Sequence, residues 1–152
     1  MFCVLETHEG GEIMEEYQIW SLFQSARIAN GLGMIATILL IWLALRTAVQ
    51  TRTPVSGEES NTVAKVISSA FCLLSVFFVY NAWSFFSASG PLTARALTQL
   101  QAQGTEISDI ATGFIDYIGT TEPTGVSVPG MVFLLVITVM MMAQIWMPKE
   151  GK

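Results

Sequence analysis

Few side chains in this sequence are equipped for chemistry, and they are scattered. Inside three long apolar runs the polar groups are Asn30, Ser68, Ser69, Ser75, Asn81, Thr138 and Gln144. Amides and hydroxyls at such depth either line a ligand site or bond a neighbouring helix, a contact worth about 0.6 to 2 kcal/mol in a bilayer. Asn30 beside Gly31 and Asn81 beside Tyr80 are the candidates for lining. Interhelical hydrogen bonding is the reading favoured for both, and for Gln144.

Soft-metal chemistry is the next candidate, because thioethers bind Cu(I) and the last run holds Met140, Met141, Met142 and Met147. On a helix, three consecutive residues point about 100° apart, so these methionines cannot converge on one ion. Adaptable packing explains them better. Cys3 and His8 lie near glutamates at the start of the chain, with no spacing diagnostic of a metal. The second cysteine, Cys72, sits inside an apolar run far from Cys3, so no disulfide is expected. Hydroxyls in the Thr51-Arg52-Thr53-Pro54 stretch and in 56–60 offer sites a kinase could use, but loop composition accounts for them equally well. There is no phosphate-binding glycine loop, nucleophile elbow, haem-attachment motif or metal-helix motif. No cofactor and no catalytic residue are expected.

The elements that would position such groups are membrane helices. The chain has 152 residues, 52% of them hydrophobic and only 12% charged. A soluble domain carries about 25% charged residues. The charges that exist collect between the runs 28–45, 66–89 and 126–147, which contain none. As helices these runs are about 27, 36 and 33 Å long, against a hydrocarbon core of about 30 Å. Only a helix satisfies its own backbone in lipid, apart from a closed barrel. Ionisable residues inside a membrane are costly and mark proton relays and ion coupling. Their absence argues against a transporter or an intramembrane enzyme. The net charge of −5 speaks against nucleic acid as a partner.

The expected fold is therefore all-α: an integral membrane protein with three transmembrane helices, an N-terminal lead-in helix and a short helical outer connection. Residues 1–14 read as an acidic leader, disordered or upstream of a true start at Met14. A single membrane domain, 15–147, follows, with crossings at about 28–46, 65–89 and 126–147, and a cytoplasmic tail at 148–152. Ile19, Leu22, Phe23 and Ala26 recur at helical spacing before the first crossing. The loop 47–64 contains Pro54 and Gly57, and Ser60 or Asn61 caps the next helix.

Two features point to packing. Small residues recur at Ser25, Ala29, Gly33 and Thr37 in the first helix and at Ser68, Cys72, Ser75 and Ala82 in the second. Such spacing lets helix backbones approach closely, so these two helices are expected to pack together. The third run is bulky and is expected to face lipid or a large partner surface. The connection 90–125 holds two short helices. Pro91 starts one, ended by Gly104; Thr105 caps the other, ended by Gly119. The second carries Ile107, Ile110, Phe114, Ile115 and Ile118 on one face, a partner-facing stripe with acids opposite. Surface helices that bind anionic lipid are basic, so this one is expected on protein.

Lys and Arg favour the cytoplasmic side. Arg46, Arg52, Lys65, Lys149 and Lys152 fall on one side, Arg27 and Arg95 on the other. This puts the N-terminus outside, periplasmic in a bacterium, and the C-terminus in the cytoplasm. The functional expectation is a small non-catalytic subunit of a larger membrane complex, with lipid and other membrane subunits as partners. The alternatives are an accessory subunit of a membrane oxidoreductase, of copper monooxygenase or respiratory type, and a homo-oligomeric pore or lipid-binding ring.

Overall fold

The computed structural model describes residues 6–52 and 60–147, with side chains of the first helix described from Glu16 onward. Cys3, the His8 side chain, the loop residues 53–59 and the tail 148–152 lie outside the described residues. The chain is all-helical, with α1 (Glu6–Arg52), α2 (Thr62–Ala102), α3 (Asp109–Ile118) and α4 (Val128–Trp146). Three of these, α1, α2 and α4, are long and apolar enough to cross a membrane. That is the architecture the uncharged runs require, and it is consistent with a membrane location.

Three boundaries differ from expectation. The lead-in and the first crossing form one helix, as the absence of Gly and Pro from Glu15 to Ala29 favours, but it begins at Glu6, within the segment read as a leader. Nor does α2 stop at Ser89; it runs through Gly90 and Pro91 to Ala102. Proline breaks a helix by removing a donor and crowding the preceding turn. Here Ala88, Pro91, Ala94, Leu97 and Leu100 are all buried, so packing outweighs the local preference. The cap of α3 is Ser108, not Thr105. Ser108 has extended φ/ψ, and its Oγ accepts from Ala111 N at 3.2 Å. Ile107 therefore lies before the helix. Gly119 ends α3 as expected, at φ 67°, where its N–H donates to Ile115 O. A side chain is strained at such a φ.

Other boundaries follow the sequence directly. Asn61 Oδ1 accepts from Ala64 N at 2.8 Å and caps α2. Ser127 caps α4, accepting from Gly130 N at 3.4 Å. Pro129 falls in the first turn of α4, where its missing donor costs nothing.

The chain divides into two compact units, Met1–Leu32 with Phe85–Gly125 and Gly33–Ser84 with Val126–Lys152. In the second unit, segments of α1, α2 and α4 share a core. Its buried residues are Thr37, Ile41, Ala44, Ala48 and Thr51 of α1, then Ser68, Cys72, Ser75 and Val79 of α2, then Leu134, Ile137, Met141 and Ile145 of α4. In α1 and α2 the intervals are alternately four and three, the 3.5-residue repeat of supercoiled helices. Small residues on α1 and α2 are matched by large ones on α4. One face of the third crossing thus packs against its own chain, while Val132, Leu135, Val136 and Val139 on its other faces are exposed. Its bulk fills the space that alanine, cysteine and serine leave.

Candidate functional site

Of the residues expected to pack helix one on helix two, Thr37, Ser68, Cys72 and Ser75 are buried; Gly33 and Ala82 are half-buried. Ser25 and Ala29 are exposed, so the real stripe on α1 runs on through Ile41, Ala44 and Ala48. Four-residue spacing alone does not reveal this shift. The 3.5-residue alternation, visible as Ala44, Ala48 and Thr51, does.

The polar groups of this unit are used for packing. Trp83 Nε1 donates to Thr37 Oγ1 at 3.3 Å, and the Trp83 ring stacks on Phe133 with centroids 5.9 Å apart. Cys72 Sγ lies 3.5 Å from Ala44 O. Near the helix ends, the hydroxyls of Thr51 and Ser68 approach to 2.6 Å. There too Arg52 Nη1 donates to Gln144 Oε1 at 3.2 Å, and Trp146 Nε1 donates to Ser69 Oγ at 2.9 Å. Ser60 Oγ also donates to Thr51 O. Among the described residues no buried side-chain polar atom lacks a partner. Gln144 is thus an interhelical contact, as the residue type suggested. Asn81 is not: it is exposed, and its Nδ2 donates to Phe77 O of its own helix at 2.8 Å.

Met141 is fully buried, Met142 half-buried and Met140 half exposed. Consecutive methionines take different environments, as helical geometry demands. Among the described residues no group of three His, Cys, Asp or Glu could hold a metal ion.

The other unit holds the most elaborate arrangement. Here α3 docks on segments of α1 and α2. Ser108 N donates to Glu16 Oε2 at 3.0 Å and Ser108 Oγ donates to Glu16 Oε1 at 2.6 Å. Trp20 Nε1 donates to the same Oε1 at 3.0 Å. A carboxylate at a helix N-terminus is favoured by the helix dipole as well as by these donors. Glu16 lies about 18 Å along the helix before the uncharged run of α1, outside the crossing. Burial raises its pKa, but the hydrogen bonds from Ser108 and Trp20 outweigh that and hold it below the ordinary carboxylate value. Beneath this anchor Trp20, Phe23 and Phe114 meet edge to face, with centroids 5.2 to 6.0 Å apart. Arg27 lies over the Phe23 ring at 5.8 Å.

The apolar stripe of α3 is therefore partly consumed within the chain. Phe114 and Ile115 are half-buried, and Ile118 Cδ1 reaches to 3.1 Å from where a Cβ on Gly90 would stand. Ile107 is half-buried outside the helix. Ile110 is 76% exposed and Tyr117 85% exposed, so they form the face of α3 left open.

An apolar groove of about 260 Å³ lies in the same unit. Leu22, Phe23 and Ala26 form one wall, Leu92, Thr93 and Ala96 the other, and Asn30 and Ser89 the polar end. Asn30 Nδ2 donates to Ser89 Oγ at 3.3 Å, and that hydroxyl donates in turn to Phe86 O at 2.9 Å. The groove offers shape and apolar contact but no ionisable group among its lining residues. No family model, curated protein or solved structure matches this chain.

Proposed function

We propose that the chain is a small, non-catalytic subunit of a larger membrane complex, held there by an apolar surface beyond its membrane crossings. The supporting observation is that α1 and α2 have 47 and 41 residues, so they measure about 70 and 62 Å. Each is about twice the hydrocarbon thickness of about 30 Å. Their excess length carries charged and polar residues, but it also leaves apolar side chains exposed. Leu22 is 71% exposed and lies N-terminal to Arg27, where the uncharged run has ended. Leu92, Ile110 and Tyr117 are exposed on the same unit. Apolar surface of this kind, outside lipid, is the mark of a partner site.

The distribution of Lys and Arg supports placing that surface on the outer side, with the C-terminus cytoplasmic. Polar groups at membrane depth that bond within the chain support a packing role over a catalytic one.

A photo-crosslinking residue at Leu22 or Tyr117, introduced into the chain in its native membrane, tests the proposal. A discrete adduct with another membrane protein is expected. Adducts with lipid alone at both positions, with none at protein, would remove it.

A further inference from the structure

The outward face of α2 repeats the packing pattern of its inward face. Ser68, Cys72, Ser75 and Val79 point into the core. Two residues on from each stand Ala70, Leu74, Phe77 and Asn81, about 200° further round the helix. All four are exposed, Leu74 at 52% and Phe77 at 60%. With Ile67, 64% exposed, they fall at i, i+3, i+7, i+10 and i+14. That is the a/d seam of a supercoiled helix pair, with Asn81 at an a position.

Asn81 stands about 24 Å along the helix from Lys65 and about 21 Å from Arg95, the charges that bound its run. That places it at hydrocarbon depth. Its bond to Phe77 O uses one of its donor hydrogens, and among the described residues no other group is shown bonding its amide. A carboxamide facing lipid is costly, and an interhelical partner relieves the cost.

We infer that α2 associates with α2 of a second copy of this chain, in parallel, with Asn81 paired to Asn81 across a two-fold axis normal to the membrane. Copies inserted in the same orientation carry Asn81 at the same depth, so register is automatic. An amide is both donor and acceptor, so it complements itself, which a charged side chain does not. A single buried Asn at an a position also fixes register and strand number in a coiled coil. The other four seam positions, Ile67, Ala70, Leu74 and Phe77, are apolar.

This inference rests on the membrane reading but not on the outer partner surface, which involves other residues. Cysteine cross-linking of the full chain in membranes tests it, with Cys3→Ser as background. Ala70→Cys and Leu74→Cys, on the seam, are expected to give a disulfide-linked homodimer under mild oxidation. Leu73→Cys, equally exposed but off the seam, is expected to give little. Adding Asn81→Leu should reduce the cross-linked fraction roughly fivefold, the scale of one interhelical amide contact, and Asn81→Gln should restore much of it. Asn81→Leu points into lipid, so it spares the fold, which circular dichroism verifies. Equal cross-linking on and off the seam, indifference to Asn81→Leu, or a cross-link to a different protein at Ala70→Cys would each overturn the inference.

Discussion

Glu16 and Ser108, far apart in sequence, hold each other through two hydrogen bonds of 3.0 and 2.6 Å, and Ser108 at the same time caps α3. One serine thus starts a helix and docks it. The carboxylate receives backbone and hydroxyl donors at the positive end of the helix it secures.

Replacing that serine separates the two roles from the rest of the fold. Ser108→Ala is expected to cost about 1 to 2 kcal/mol in the stability of α3, the range of a lost N-cap. Amide exchange at Ala111 and Thr112 should quicken, while amides in α4 remain unchanged. Equal quickening in α4 would show that the two units unfold together.

The same anchor predicts a pH response. A carboxylate whose folded pKa is depressed adds stability above its unfolded value, near 4.5, and loses it as pH falls through the folded value. Docking of α3 should therefore weaken only in acid, starting near pH 4.5 and continuing below it. Glu16→Gln should abolish this acid response, read as exchange of α3 amides against pH.

The consecutive methionines give a sharper contrast than their identical chemistry suggests. Met141→Ala removes a fully buried side chain and should destabilise by about 2 to 5 kcal/mol. Met140→Ala, at a site 50% exposed, should have a much smaller effect. Unfolding in mixed detergent micelles measures both; equal effects would remove the assigned orientation of α4.

Close approach of α1 and α2 depends on small residues. Ala44 is fully buried, with Cys72 Sγ at 3.5 Å from its carbonyl oxygen. Ala44→Leu should overpack this contact and cost about 1 to 3 kcal/mol. Leu43→Met, at a site 46% exposed, should be nearly silent in the same assay.

Solvent explains what could be read from the sequence alone. Runs 28–45, 66–89 and 126–147 have no charge, and hydrocarbon leaves such a segment little choice but to be a helix. Caps at Asn61 and Gly119 were legible because they are local: a side chain or a permitted φ decides them within a few residues. Asn30, Asn81 and Gln144 were legible as polar groups at depth, though not their partners. Only the tertiary structure decided that α2 runs through Pro91, that Ser108 and not Thr105 starts α3, and that α4 fills the core. Each of these turns on groups distant in the chain: Leu97 and Leu100 buried beyond the proline, Glu16 meeting Ser108, Met141 filling space beside alanine and cysteine. Periodicity states which side of a helix is apolar, but in a bilayer nearly every side is. Which face meets protein and which meets lipid is settled by the shapes of neighbouring helices.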